Sequence, residues 1–166
     1  MKAVSNTTPL RYLIAIEQEH LLAQLFEKVF VPAGVHQELT DARTPEMVRR
    51  CVLSSPSWYE VRETGNLDAE AFPVALHQGE REAILLAETL RADVLLIDDQ
   101  MGRTIARSRN LALSGTLGVL ERADSMGLVR DFGEVLQRLK LSGFFIAGTL
   151  EQELMERHRR RRGGES

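Results

Sequence analysis

The run "LLIDDQMGR", residues 95–103, ends an apolar stretch on two adjacent carboxylates. Leu95, Leu96 and Ile97 read as the end of a buried strand, and a helical pattern resumes at Met101. A helix cap uses one aspartate, so Asp98 and Asp99 together need a further reason. In an open α/β sheet, ligands bind beyond the carboxyl ends of the strands. Asn6 and Thr7 close an opening strand, Glu38 lies in the helix after a second strand, and Glu80 sits in the first turn of the helix leading into "DVLLI". If these ends converge, three or four acids share one crevice. Such a cluster repels itself unless it holds a cation, and an all-oxygen set favours Mg²⁺ or Mn²⁺. Cations held this way activate water and steady a phosphoryl transition state.

Each residue also has a plainer reading. Glu80, like Glu82 after it, favours a helix N-terminus electrostatically, and Glu38 suits a solvated helix face. Either aspartate can cap a helix, and Asn6 can close a turn. Thr7 and Thr116 stand where they can cap helices or support a metal shell. His20, His36, His77 and His158 are scattered without metal spacing, and no Ser/His/Asp arrangement is legible.

The elements that must position these residues follow from periodicity. Short strands are expected at "KAVSN", "VFVP", "WYEVRE", "DVLLI" and "LALS". Helical spacing covers "TTPLRYLIAI", "HLLAQLF", "AGVHQEL", "PEMVRRCVL" and about residues 79–90, 101–109, 116–126, 131–140 and 149–159. Alternation at this spacing predicts an α/β fold, a three-layer α/β/α sandwich around a mainly parallel sheet. No repeat, low-complexity tract or linker interrupts it, so residues 1–156 are expected to form one domain.

Composition narrows the function. The chain has 166 residues, 43% hydrophobic and 27% charged, as in ordinary globular proteins. Aromatics are 5%, too few for base-stacking platforms of the kind single-strand binders use. No apolar run approaches the ~20 residues of a membrane span, and no signal-peptide pattern is legible, so a cytoplasmic location is expected. A single cysteine, Cys51, excludes internal disulfides and cysteine-rich zinc sites. Residues 157–166 carry five arginines against one glutamate, a charge of +4, which leaves −7 on the rest of a chain whose net charge is −3. That tail reads as a disordered solubilising end or as a nucleic-acid contact through Arg159, Arg160 and Arg161.

In order, "VSNTTPL", "VPAGVHQEL", "GEREAILLA", "LLIDDQMGRTIA" and "SGTLGVL" resemble the PIN domain family, and within it the small PIN-like proteins of prokaryotic toxin–antitoxin loci. The likeness runs from about residue 3 to 150. It implies a metal-dependent ribonuclease fold using Mg²⁺ or Mn²⁺, an RNA substrate, a cognate antitoxin and a homodimer. By the same resemblance, Glu38, Glu80 and the Asp98/Asp99 pair fall on the acidic site. Asp99 matches the strand-end acid, with Asp98 as second ligand or orienting group. Arg103 and Arg107, one helical turn apart, are placed to touch RNA phosphates or to form a solvated face. One position departs from the pattern: Asn6 stands where the family has aspartate.

Two other functions compete. One keeps the fold but not the chemistry: a partner- or RNA-binding protein with a weakened site, for which Asn6 speaks. The other reads the Asp doublet as a receiver-like phospho-acceptor. In receivers, however, the acidic pair follows the first strand and a lysine follows the fifth.

Overall fold

The computed structural model describes residues 1–65 and 71–164. Contacts divide the chain into two compact units, residues 1–116 and 117–166.

The first unit is built on five parallel strands: β1 (Lys2–Ser5), β2 (Lys28–Pro32), β3 (Tyr59–Arg62), β4 (Val94–Leu96) and β5 (Leu113–Ser114), in the order β3-β2-β1-β4-β5. Its helices are α1 (Thr7–Ala15), α2 (His20–Leu25), α3 (Ala33–Thr40), α4 (Glu46–Leu53), α5 (Gln78–Leu90) and α6 (Gln100–Ser108). A parallel sheet flanked by helices is the three-layer α/β/α sandwich expected from the sequence. Its inner strands are apolar on both faces because helices cover both. Ala3, Val4, Val29, Val31, Leu95 and Leu96 are fully or almost fully buried.

Helix α5 lies against β1, β2 and β4. Its Ile84 and Leu86 join Val4, Phe30, Leu95 and Ile97 in one cluster. Burying side chains of this size contributes roughly 1.5–3 kcal/mol each. That packing fixes where the first turn of α5 points. Helix α6 approaches closely because its buried face is Gly102 and Ala106, one turn apart. Both helices end on a left-handed residue, Arg91 (φ 50°) after α5 and Asn110 (φ 61°) soon after α6. Ala92 N–H then donates to Ala87 O and Leu111 N–H to Ala106 O, a helix ending that turns the chain sharply into the next strand.

The second unit holds most of α7 (Thr116–Ser125), with α8 (Phe132–Leu141) and α9 (Gly148–Gly163). Here one expectation is corrected. Residues 157–163 are not a disordered tail but the last turns of α9. The reason is charge pairing. Arg157 Nε donates to Glu121 Oε1 (2.5 Å), Arg161 Nη2 to Asp124 Oδ2 (2.5 Å), and His158 Nδ1 lies 2.8 Å from Asp124 Oδ2. Phe132 stacks on the His158 ring at 5.3 Å. Asp124 has a side chain only 1% exposed, so its charge needs these partners. Residues 165 and 166, also assigned to the tail, lie outside the described residues.

Candidate functional site

Parallel pairing sets Ser5 beside Leu96, and the Asn6 N–H continues the ladder by donating to Leu96 O at 3.0 Å. The ends of β1 and β4 therefore lie side by side at the carboxyl end of the sheet. Asn6 is 3% exposed and caps α1 by backbone position only, with no side-chain capping bond. Its side chain is used elsewhere: Nδ2 donates to Glu80 Oε1 at 3.3 Å. Thr7, the first residue of α1, does not cap the helix with its side chain. Its Oγ1 donates instead to Glu38 Oε2 at 2.5 Å. Gly79 separates the two pairs, and a Cβ there would lie 3.0 Å from Glu38 Oε1 and 3.4 Å from Asn6 Oδ1. A side chain at 79 would crowd both oxygens, so glycine lets β1, α3 and α5 bring Asn6, Thr7, Glu38 and Glu80 together.

The aspartate doublet divides its work. Asp99 caps α6, accepting from Gly102 N–H at 2.7 Å, and its carboxylate is otherwise exposed. Asp98 turns toward the end of β5, where Oδ1 accepts from Thr116 N–H (2.8 Å) and Oδ2 from Thr116 Oγ1 (2.6 Å). Burial pushes the Asp98 carboxyl up, against the opposing pull of both Thr116 hydrogen bonds and of Arg103. Thr116 thus begins α7 as a partner of Asp98; the capping oxygens for its N–H come from another strand end. Arg103 also points inward, its Nη1 donating to Ile97 O at 2.8 Å, while Arg107 is exposed. In the second unit, Arg161 is held by Glu121 and Asp124, Arg160 pairs with Glu156 one turn back, and Arg159 is exposed.

The expected convergence of three or four acids needs correcting in detail. Among the described residues, no three acidic, histidine or cysteine side chains stand close enough to hold an ion by themselves. The structure supplies two carboxylates, Glu38 and Glu80, with an amide and a hydroxyl between them. This set still suits a hard divalent cation: every donor is oxygen, and Glu80 Oε2 is buried yet accepts no hydrogen bond from any described residue.

Sequence reasoning missed Glu82, read only as a helix-terminus charge. It is buried, and it lines a cleft of about 240 Å³ together with Gly34, Gln37, Glu38, Asp41 and Gln78. The signal was present in the spacing. Glu82 lies one turn from Gln78, whose Nε2 donates to its Oε1 at 3.0 Å, on the side of α5 that meets α3.

The first unit is thus an open parallel α/β sheet with an oxygen-rich crevice at its strand ends. The family model described as PIN domain matches residues 2–160, and the chain belongs to that family. PIN domains are generally nucleases and generally use divalent metals. The receiver-like alternative is set aside by this membership, and by a doublet that follows β4 while Asn6 follows β1. No curated protein matches the chain closely enough to extend the comparison. Among the described residues, no helix is long and apolar enough to cross a membrane.

Proposed function

We propose that the chain is a cytoplasmic, Mg²⁺- or Mn²⁺-dependent endoribonuclease, the toxin of a toxin–antitoxin pair, acting as a homodimer held in check by its antitoxin. The observation that carries this reading is the oxygen set at the end of β1: Asn6, Glu38 and Glu80 in one crevice, with Glu80 Oε2 buried and unpartnered.

Glu38, Glu80 and the Asn6 amide oxygen hold the cation, and Asp99 adds an exposed carboxylate at the neighbouring strand end. The cation supplies Lewis acidity toward water and neutralises charge on the phosphoryl group. Thr7 holds Glu38 in one orientation through Oε2 and leaves Oε1 free to face Gly79. Thr116 fixes Asp98 through two bonds, so the strand end does not rearrange when substrate arrives. Arg107 in the first unit and Arg159 and Arg160 in the second present exposed positive charge for RNA phosphates.

The test is cleavage of a structured RNA with Mn²⁺, alongside melting temperature with Mn²⁺ and with EDTA. The expected result is Mn²⁺-dependent cleavage and Mn²⁺-dependent stabilisation, both lost in Glu80→Gln. Absence of both in the wild-type chain overturns the reading. The Asn6–Glu80 hydrogen bond favours a second one, an RNA- or partner-binding protein with a weakened site, because the amide occupies an oxygen that a cation needs. RNA binding without cleavage or metal response is the outcome that favours it.

A further inference from the structure

We propose that the cleft between α3 and α5 is a nucleobase subsite that selects guanine beside the scissile phosphate. The inference rests on the nuclease reading above for its place in the reaction, but its binding test does not depend on cleavage. The carrying observation is Glu82. It is 7% exposed, lines the cleft, and its Oε2 accepts no hydrogen bond from any described residue. Buried polar groups are almost always partnered, so an orphaned carboxylate oxygen on a side chain that lines a cleft calls for a donor.

The glycine opposite keeps that oxygen in place. A Cβ at Gly34 would stand 2.2 Å from Glu82 Oε2. Glu82 therefore reaches the first turn of α3 only because residue 34 lacks a side chain. Its other oxygen, Oε1, is covered by the Gln78 amide, an exposed side chain free to swing aside.

The lining determines the ligand class. Glu38, Asp41 and Glu82 accept and do not donate, while Gln37 and Gln78 can do both. Such walls repel phosphate and attract a neutral group rich in N–H donors. Single-stranded RNA is read on the exposed edges of unstacked bases. Guanine alone presents two adjacent donors, N1–H and the 2-amino group, matched to the two oxygens of one carboxylate, and its O6 can then accept from a glutamine amide. Adenine and cytosine offer the amino group only, and uracil a single imide. The cleft's roughly 240 Å³ suits one base. Glu38 lines the cleft and also accepts from Thr7, so a base seated there lies next to the proposed cation site.

The experiment titrates the full chain, in EDTA, with guanosine, inosine, adenosine, cytidine and uridine, following amide chemical shifts. Inosine keeps N1–H and O6 but lacks the 2-amino group. The expected result is guanosine binding roughly tenfold tighter than inosine, the value of one hydrogen bond to a charged group, with shifts confined to α3 and α5. Glu82→Gln removes the preference, and Gln78→Ala, at an exposed position that leaves the core intact, alters guanosine affinity without affecting melting. Equal binding of all five nucleosides, or none, overturns the subsite. Guanosine binding in a chain that cleaves no RNA would sink the nuclease reading and leave the subsite standing. Mn²⁺-dependent cleavage with no preference at the cut and no nucleoside binding would do the reverse.

Discussion

Asn6 and Glu80 meet side chain to side chain across 3.3 Å, the amide nitrogen donating to Oε1, although seventy-four positions separate them in the chain. A neutral donor at this point removes the repulsion that an aspartate there would create with Glu80.

Asn6→Asp reverses that relationship. In EDTA the variant is expected to lose roughly 1–2 kcal/mol, about 2–8 °C in melting temperature, because two like charges then face each other at a buried position. With Mn²⁺ the loss should be recovered or exceeded, since a ligand that binds only the folded state stabilises it by mass action. Paired melts of both proteins decide it. Identical melting in both media would mean that position 6 does not sense Glu80's charge.

Asp99 carries two candidate duties that substitutions can separate. Asp99→Asn keeps a capping oxygen for Gly102 N–H and should melt within about 0.5 kcal/mol of wild type. Asp99→Ala removes the cap at a cost of about 1 kcal/mol. If the carboxylate serves the reaction, both variants lose cleavage equally while their stabilities differ. A fully active Asp99→Asn would leave only the cap.

Removing the basic end of α9 should unfold the second unit rather than merely discharge it. Arg161→Ala strands Asp124, whose side chain is 1% exposed, with one fewer cation. Breaking a buried pair by deleting one partner costs about 3–5 kcal/mol. Arg159→Gln, at an exposed position, should leave stability within about 0.5 kcal/mol and weaken RNA binding in a salt-dependent way. Urea titrations of the two variants test the contrast, and equal stability would refute the anchoring role of Arg161.

Acid should loosen α9 through Glu121. The Arg157 hydrogen bond, with further help from the Arg157 charge and from Arg161, holds this carboxyl below its ordinary 4.5 despite partial burial. A lowered folded value means the stabilisation is present above pH 4.5 and is lost as pH falls through the lower folded value. The site is partly exposed, so the effect should be modest and should shrink with added salt. Helicity followed from pH 6 to pH 2 in wild type and Glu121→Gln checks it; matching acid profiles would remove Glu121 from the account.

Much of the fold was legible because apolar runs and turn residues are local signals. "DVLLI" reads as a buried strand from its continuous hydrophobicity, and the helix after it from the helical pattern that resumes at Met101. The site was legible as a set of strand-end polar residues, but the partners were not. Nothing in the chain says that Thr116, eighteen residues on, will take both oxygens of Asp98 while Asp99 caps. Those choices depend on which strand lies beside β4. Glu82 was obscured because a charged residue in a first turn has an ordinary electrostatic explanation, and its burial follows only from Gly34 on another helix. The basic end of α9 looked unstructured because the acids that order it, Glu121 and Asp124, lie more than thirty residues earlier.

The strand order has a consequence for how the protein comes into being. β1 sits in the middle of the sheet, with β2 on one side and β4 on the other, yet β4 begins only at Val94. A ribosome delivering the chain from its N-terminus releases Asn6, Thr7 and Glu38 long before the strand that must close against β1. Until Leu96 emerges, one edge of β1 has no partner and the crevice has no second wall. Pairing over so long a separation in sequence is slow and comes late. The oxygen cluster is therefore completed among the last parts of the first unit, and a nascent chain stalled before α5 carries Asn6, Thr7 and Glu38 but not Glu80.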